Sequence, residues 1–133
     1  MRILLNILFI TVFTLVVFIA CDDTGITDAE IPDSDISYSL HIQRIFDKKC
    51  AIDACHNSAY MAGGYSMSSW TETNKPPYVL AGDPDHSLAY LATLGQAGLS
   101  PMPPQDPSVP IPPLTEKESN AFKTWIKEGA KNN

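Results

Sequence analysis

Basic residues are scarce in this 133-residue chain, with 9 Lys and Arg against 15 Asp and Glu and a formal net charge of −6. No basic face can be assembled from them, so nucleic acid is not an expected partner. Alternating apolar and polar residues are missing at any useful length, which argues against a half-buried sheet. Helically periodic apolar sequence is also sparse, and three segments hold most of it. Cysteine is rarer still, at three. No fourth Cys or Asp stands at a usual zinc-ligand spacing, so a structural zinc site is poorly supported. Proline, by contrast, is plentiful, at 11.

The long apolar run is confined to residues 3–20, ILLNILFITVFTLVVFIA, preceded by Arg2. A positive start, an apolar stretch and a small residue before a cut site make a secretory signal. The closing residues FIAC resemble the lipobox of bacterial lipoproteins, although Phe18 stands where Leu is more usual. That resemblance implies cleavage after Ala20 and acylation of Cys21. An uncleaved anchor is the alternative, since the run just suffices to span a bilayer. Either way the expected location is extracytoplasmic, tethered to a bacterial membrane on its periplasmic face or at the cell surface. Thiols tend to oxidise there. If Cys21 carries lipid, Cys50 and Cys55 are left as a pair.

The expected organisation is a signal peptide over 1–20, a lipidated Cys and acidic disordered tether over 21–37, and one domain over 38–133. Residues 22–37 carry six acidic residues, no basic residue and no aromatic ring, so the segment is expected to stay solvated. As free coil it gives roughly 20–24 Å of reach. It also holds most of the charge imbalance, because from Tyr38 onward eight Lys or Arg face nine Asp or Glu.

Within the domain, Tyr38, Ile42, Ile45 and Phe46 recur at helical spacing and predict an amphipathic helix running into Cys50. In GDPDHSLAYLATLG, Asp83 reads as N-cap, Pro84 as first helical residue and Gly95 as stop. Its apolar set is Leu88, Tyr90, Leu91 and Leu94. Thr115 and Glu118 have capping-box spacing ahead of a third helix, whose apolar face is Ala121, Phe122, Trp125 and Ile126. Between the second and third helices, a proline-rich stretch around Met102 excludes helix. The fold class is therefore all-α, with short helices and long loops. So little periodic core seldom encloses enough apolar interior, and small domains of this kind often rely on a staple or cofactor.

Residues 48–60, KKCAIDACHNSAY, place two thiols and an imidazole in one loop. A disulfide, a metal site, a haem attachment point and coincidence are all open from these residues alone. Covalent haem attachment ordinarily uses C-x-x-C-H; here four residues separate Cys50 from Cys55, while the adjacency of Cys55 and His56 is kept. The two extra residues can bulge outward without moving either sulfur.

In order along the chain, IFDKKCAIDACH, GGYSMSSW, AGDPDHSLAY, PMPP and EKESNAFKTWIKEGA resemble the small monohaem c-type cytochrome domain found in bacterial lipoproteins. The resemblance implies three to five short helices around one covalent haem c. It makes Cys50 and Cys55 the thioether positions, His56 the proximal axial ligand and Met102 the distal one. The prolines flanking Met102 stiffen its loop, which suits that role. It also implies single-electron transfer to redox partner proteins at the membrane, with the bilayer itself engaged through Cys21, and no enzymatic activity. Weak peroxidase or gas-sensing behaviour follows only if the distal ligand is absent. The alternative is a non-catalytic structural or interaction lipoprotein with a Cys50–Cys55 disulfide. Met61 and Met67 are expected as gap-fillers, His41 and His86 as surface groups, and Tyr65 and Trp70 as packing residues or crevice walls.

Overall fold

A computed structural model describes residues 25–133, so the signal segment and Cys21 lie outside the described residues. Among the described residues there are helices and loops but no strands. The all-α expectation holds. A π turn over Tyr38–Ile42 leads into α1, Gln43–Lys49; α2 is Trp70–Thr73, α3 is Leu88–Thr93 and α4 is Glu116–Lys127. Short 3-10 turns cover Asp28–Glu30, Ala62–Gly64 and Pro84–His86.

The last helix starts where its cap residues dictate. Thr115 Oγ1 accepts the Glu118 N–H at 3.1 Å, and the Glu118 carboxylate accepts the Thr115 N–H at 2.7 Å. This reciprocal pair satisfies two donors that a helix N-terminus otherwise leaves bare. Ala121, Phe122, Trp125 and Ile126 then fall on one stripe, and all four are buried. At the other end Gly129 adopts φ 101°, a conformation that favours glycine.

The stripe meets Tyr38, Ile42, Ile45 and Phe46, buried as their spacing predicts. Phe46 and Phe122 cross edge to face at 5.0 Å, and Tyr38 lies 5.4 Å from Trp125. Tyr90 of α3 meets Phe122 at 5.8 Å, also edge to face. Such aromatic pairs add about 0.5–1.5 kcal/mol each beyond the area they bury. This is the closed core.

Two expectations need correction. The segment from Asp83 to Gly95 is not one helix. Ser87 sits in extended conformation between the 3-10 turn and α3, because its hydroxyl is engaged outside the helix: it donates to the Asp83 carbonyl at 2.7 Å and accepts the Leu80 N–H at 2.9 Å. Asp83 caps nothing and pairs with exposed His86 instead. Leu94, assigned to the apolar face, is exposed.

The second correction concerns residues 25–37, which do not form a free tether. Ile31 and Ile36 are buried in the core. The Glu128 carboxylate accepts the backbone N–H groups of Asp35 and Ile36 at 2.8 and 2.9 Å, Thr115 Oγ1 donates to Asp28, and Lys117 pairs with Asp33. Two isoleucines supply enough burial, and α4 supplies partners for the acids. The segment is a strap, and the folded unit begins before Tyr38.

Candidate functional site

On the far side of α3 from Tyr90 lies a cavity of about 320 Å³, within the range of small-ligand sites. Several segments wall it. Cys50, Cys55 and His56 come from the loop after α1, Tyr65 and Met67 from the next extended stretch, Leu88, Ala89 and Ala92 from α3, and Met102, Pro103 and Ile111 from the proline-rich loop. All four residues assigned to haem by resemblance thus line one space. Ala89 and Ala92 keep the α3 wall low, so the helix separates filled core from open cavity.

The cysteine loop folds back on itself. The His56 N–H donates to the Cys50 carbonyl at 3.0 Å and the Cys55 N–H to the Ile52 carbonyl at 3.1 Å. Ala54 takes φ 63° to allow it, and Asp53 and Ala54 are exposed. Ala54 also reaches the cavity lining, so the added residues lie only partly outside it. Cys50 and Cys55 are both free thiols. Cys50 is buried, and burial pushes its thiol up to about 12, with the Glu118 carboxylate adding to the shift.

His56 is oriented by its backbone surroundings. Its Nδ1 stands 3.0 Å from the Tyr65 carbonyl oxygen, which can only accept, so Nδ1 carries the proton. With that proton on Nδ1, Nε2 is the nitrogen left to offer a lone pair to a metal. The Met67 N–H donates to the His56 carbonyl at 2.8 Å, fixing the backbone as well. Tyr65 stacks on Tyr78 at 4.1 Å and donates its hydroxyl to the Thr73 carbonyl.

Met102 is held from α3. Its N–H donates to the Ala92 carbonyl at 2.9 Å. Gly95 turns the chain at φ 62°, and a side chain there would meet Pro101 at 3.0 Å. Glycine is needed for both reasons.

Among the other residues weighed from sequence, Met67 is buried on the cavity wall, whereas Met61 is 39% exposed and fills no gap. Trp70 packs against the core and donates Nε1–H to the Ala130 carbonyl, away from the cavity wall. His86 is exposed; His41 is partly buried, with Nδ1 accepting the Ser37 N–H. Sequence reasoning missed Lys49 and Tyr78 as wall residues. Neither position carries a motif.

Two thiols, an imidazole with a free nitrogen and a thioether around an apolar space fit a haem, whose ligation draws on this chemistry. Among the described residues no group of three or more His, Cys, Asp or Glu could hold a metal ion, so a zinc reading gains nothing. An all-α fold around such a site is consistent with a small c-type cytochrome-like domain, and one comparison supports that class. Residues 53–106 match the family model described as Planctomycete cytochrome C, a stretch that includes Cys55, His56 and Met102 but not Cys50. No curated protein and no solved structure matches the chain.

Proposed function

We propose that this protein is a membrane-tethered, extracytoplasmic c-type cytochrome that carries single electrons. One covalent haem c would be held by thioethers at Cys50 and Cys55, with His56 and Met102 as axial ligands. When bound, the haem supplies a one-electron couple. The observation that carries the reading is the meeting of Cys50, Cys55, His56 and Met102 on one apolar cavity wall.

The chain's own groups have defined tasks. The Tyr65 carbonyl keeps the His56 proton on Nδ1 and so leaves the Nε2 lone pair for a metal. The Ala92 carbonyl and the flanking prolines hold the Met102 backbone at the cavity lining. A His/Met pair would raise the reduction potential, and with His56 and Met102 both engaged in holding the haem no site would remain for oxygen or peroxide. The expected role is therefore electron transfer to partner proteins at the membrane rather than catalysis. The tether would be the lipid on Cys21. That residue and the signal segment lie outside the described residues; no described helix is long and apolar enough to cross a membrane.

The test is to export the chain, with Cys21 replaced, in a host that matures c-type cytochromes. A sharp reduced α band, with colour surviving acid–acetone extraction, supports covalent haem. A far-red thioether-to-iron band in the oxidised form supports Met102. A colourless folded product in two such hosts overturns the reading and leaves the Cys50–Cys55 disulfide lipoprotein. Labelling with radioactive palmitate in a native-like host, abolished by Cys21→Ser, tests the anchor.

A further inference from the structure

Lys49, the last residue of α1, is buried beside the cavity. Its Nζ donates to the Glu118 carboxylate at 2.5 Å and to the Pro113 carbonyl at 3.0 Å. The same Glu118 oxygen accepts the Thr115 N–H that caps α4. One ammonium group thus joins three segments: the helix end bearing Cys50, the end of the proline-rich loop, and the start of α4. Charges this deeply buried are sustained only when well paired and hydrogen-bonded.

The loop needs such a fastening. Prolines at 101, 103, 104, 107, 110, 112 and 113 offer no N–H. Its internal bonds are local, such as Val109 N–H to the Asp106 carbonyl and Ile111 N–H to the Val109 carbonyl. Among the described residues two bonds tie it outward, Met102 N–H to the Ala92 carbonyl near one end and Lys49 Nζ to the Pro113 carbonyl at the other. Met102, Pro103, Pro104 and Ile111 between them form the cavity wall.

We propose that Lys49 is a positioning residue for Met102: it pins the far end of the proline loop so that the thioether stays over the cavity. This rests on the function proposed above. Lys49 is not an expected partner for an acidic group on a cavity ligand, because Glu118 already neutralises it.

The experiment compares the full chain carrying Lys49→Met, Lys49→Arg and Glu118→Gln with wild type. Covalent haem content, the far-red thioether band, carbon monoxide binding to the ferrous form and thermal stability are read well below each melting temperature. Lys49→Met is expected to keep covalent haem yet lose Met102 occupancy by about tenfold, the scale of supporting-residue losses at metal sites. The far-red band fades and carbon monoxide binds. Lys49→Arg, which keeps the charge and can reach both acceptors, restores part of the band. A lowered melting temperature with an intact band and no carbon monoxide binding overturns the proposal and leaves Lys49 structural. If Lys49→Met does not fold, Glu118→Gln decides by the same band. If wild type itself carries no covalent haem, the functional reading fails. Loop placement is then read by limited proteolysis of the haem-free chain: faster cleavage within 99–114 in Lys49→Met supports the pin, and unchanged cleavage overturns it.

Discussion

The two faces of α3 differ in what completes them. On the Tyr90 side, Phe46, Phe122 and Trp125 are fully buried against one another, and the chain's own side chains fill the space. On the Ala89 and Ala92 side, loops enclose an apolar volume that side chains leave open. The first half is packed by its own side chains, and the second is an apolar lining around open space. Changes to the core should therefore act on folding, while changes to the wall should act on what the cavity holds.

The largest expected effect is on the wall. Cys50→Ser with Cys55→Ser should abolish covalent haem, read as complete extraction of colour by acid–acetone, while a folded fraction survives by circular dichroism. Next comes the core. Trp125→Ala should cost about 3–5 kcal/mol in urea unfolding, with any bound haem keeping its axial spectrum in the remaining native protein. Equal damage to spectrum and fold in both variants would erase the distinction between the halves.

Met102→Ala follows. The expected outcome is a lower reduction potential and carbon monoxide binding, with covalent haem retained; no change in either would remove Met102 from the site. In alkali the core should weaken. Burial raises the Tyr38 hydroxyl from 10.0 to about 12, so the folded state holds its proton more tightly than the unfolded chain. The sign follows: this stabilisation is present below pH 10 and is lost as pH rises through about 12. Tyr38→Phe should flatten that part of a stability–pH curve measured in urea. The smallest expected effect is Ala54→Gly, a gain of about 0.5–1 kcal/mol in urea unfolding from relieving a left-handed alanine.

Legibility in the sequence followed the same division. The Thr115–Glu118 cap and the α1 and α4 stripes are local or periodic signals, and the structure shows them where spacing placed them. Ser87 was misread because a serine inside an apolar helical pattern does not announce that its hydroxyl will bond Leu80 and Asp83. The strap was missed because its acidic composition outweighed Ile31 and Ile36, whose burial depends on α4 being present. At the site, Cys55–His56 was visible by adjacency and Met102 by resemblance. Lys49 was invisible, since a lysine in a Lys-Lys pair normally reads as solvated surface.

The strap also changes what a tether means here. A free spacer defines a radius of search, within which a domain tumbles and samples every orientation. With Asp35 and Ile36 bound to Glu128, and Asp33 to Lys117, the chain enters the folded body at a fixed point beside α4, whose residues take no part in the cavity wall. Any attachment upstream of Gly25 would therefore meet the body at that point and not at Tyr38. Encounters at the cavity mouth would then be governed by the rotation of the whole body about that entry point.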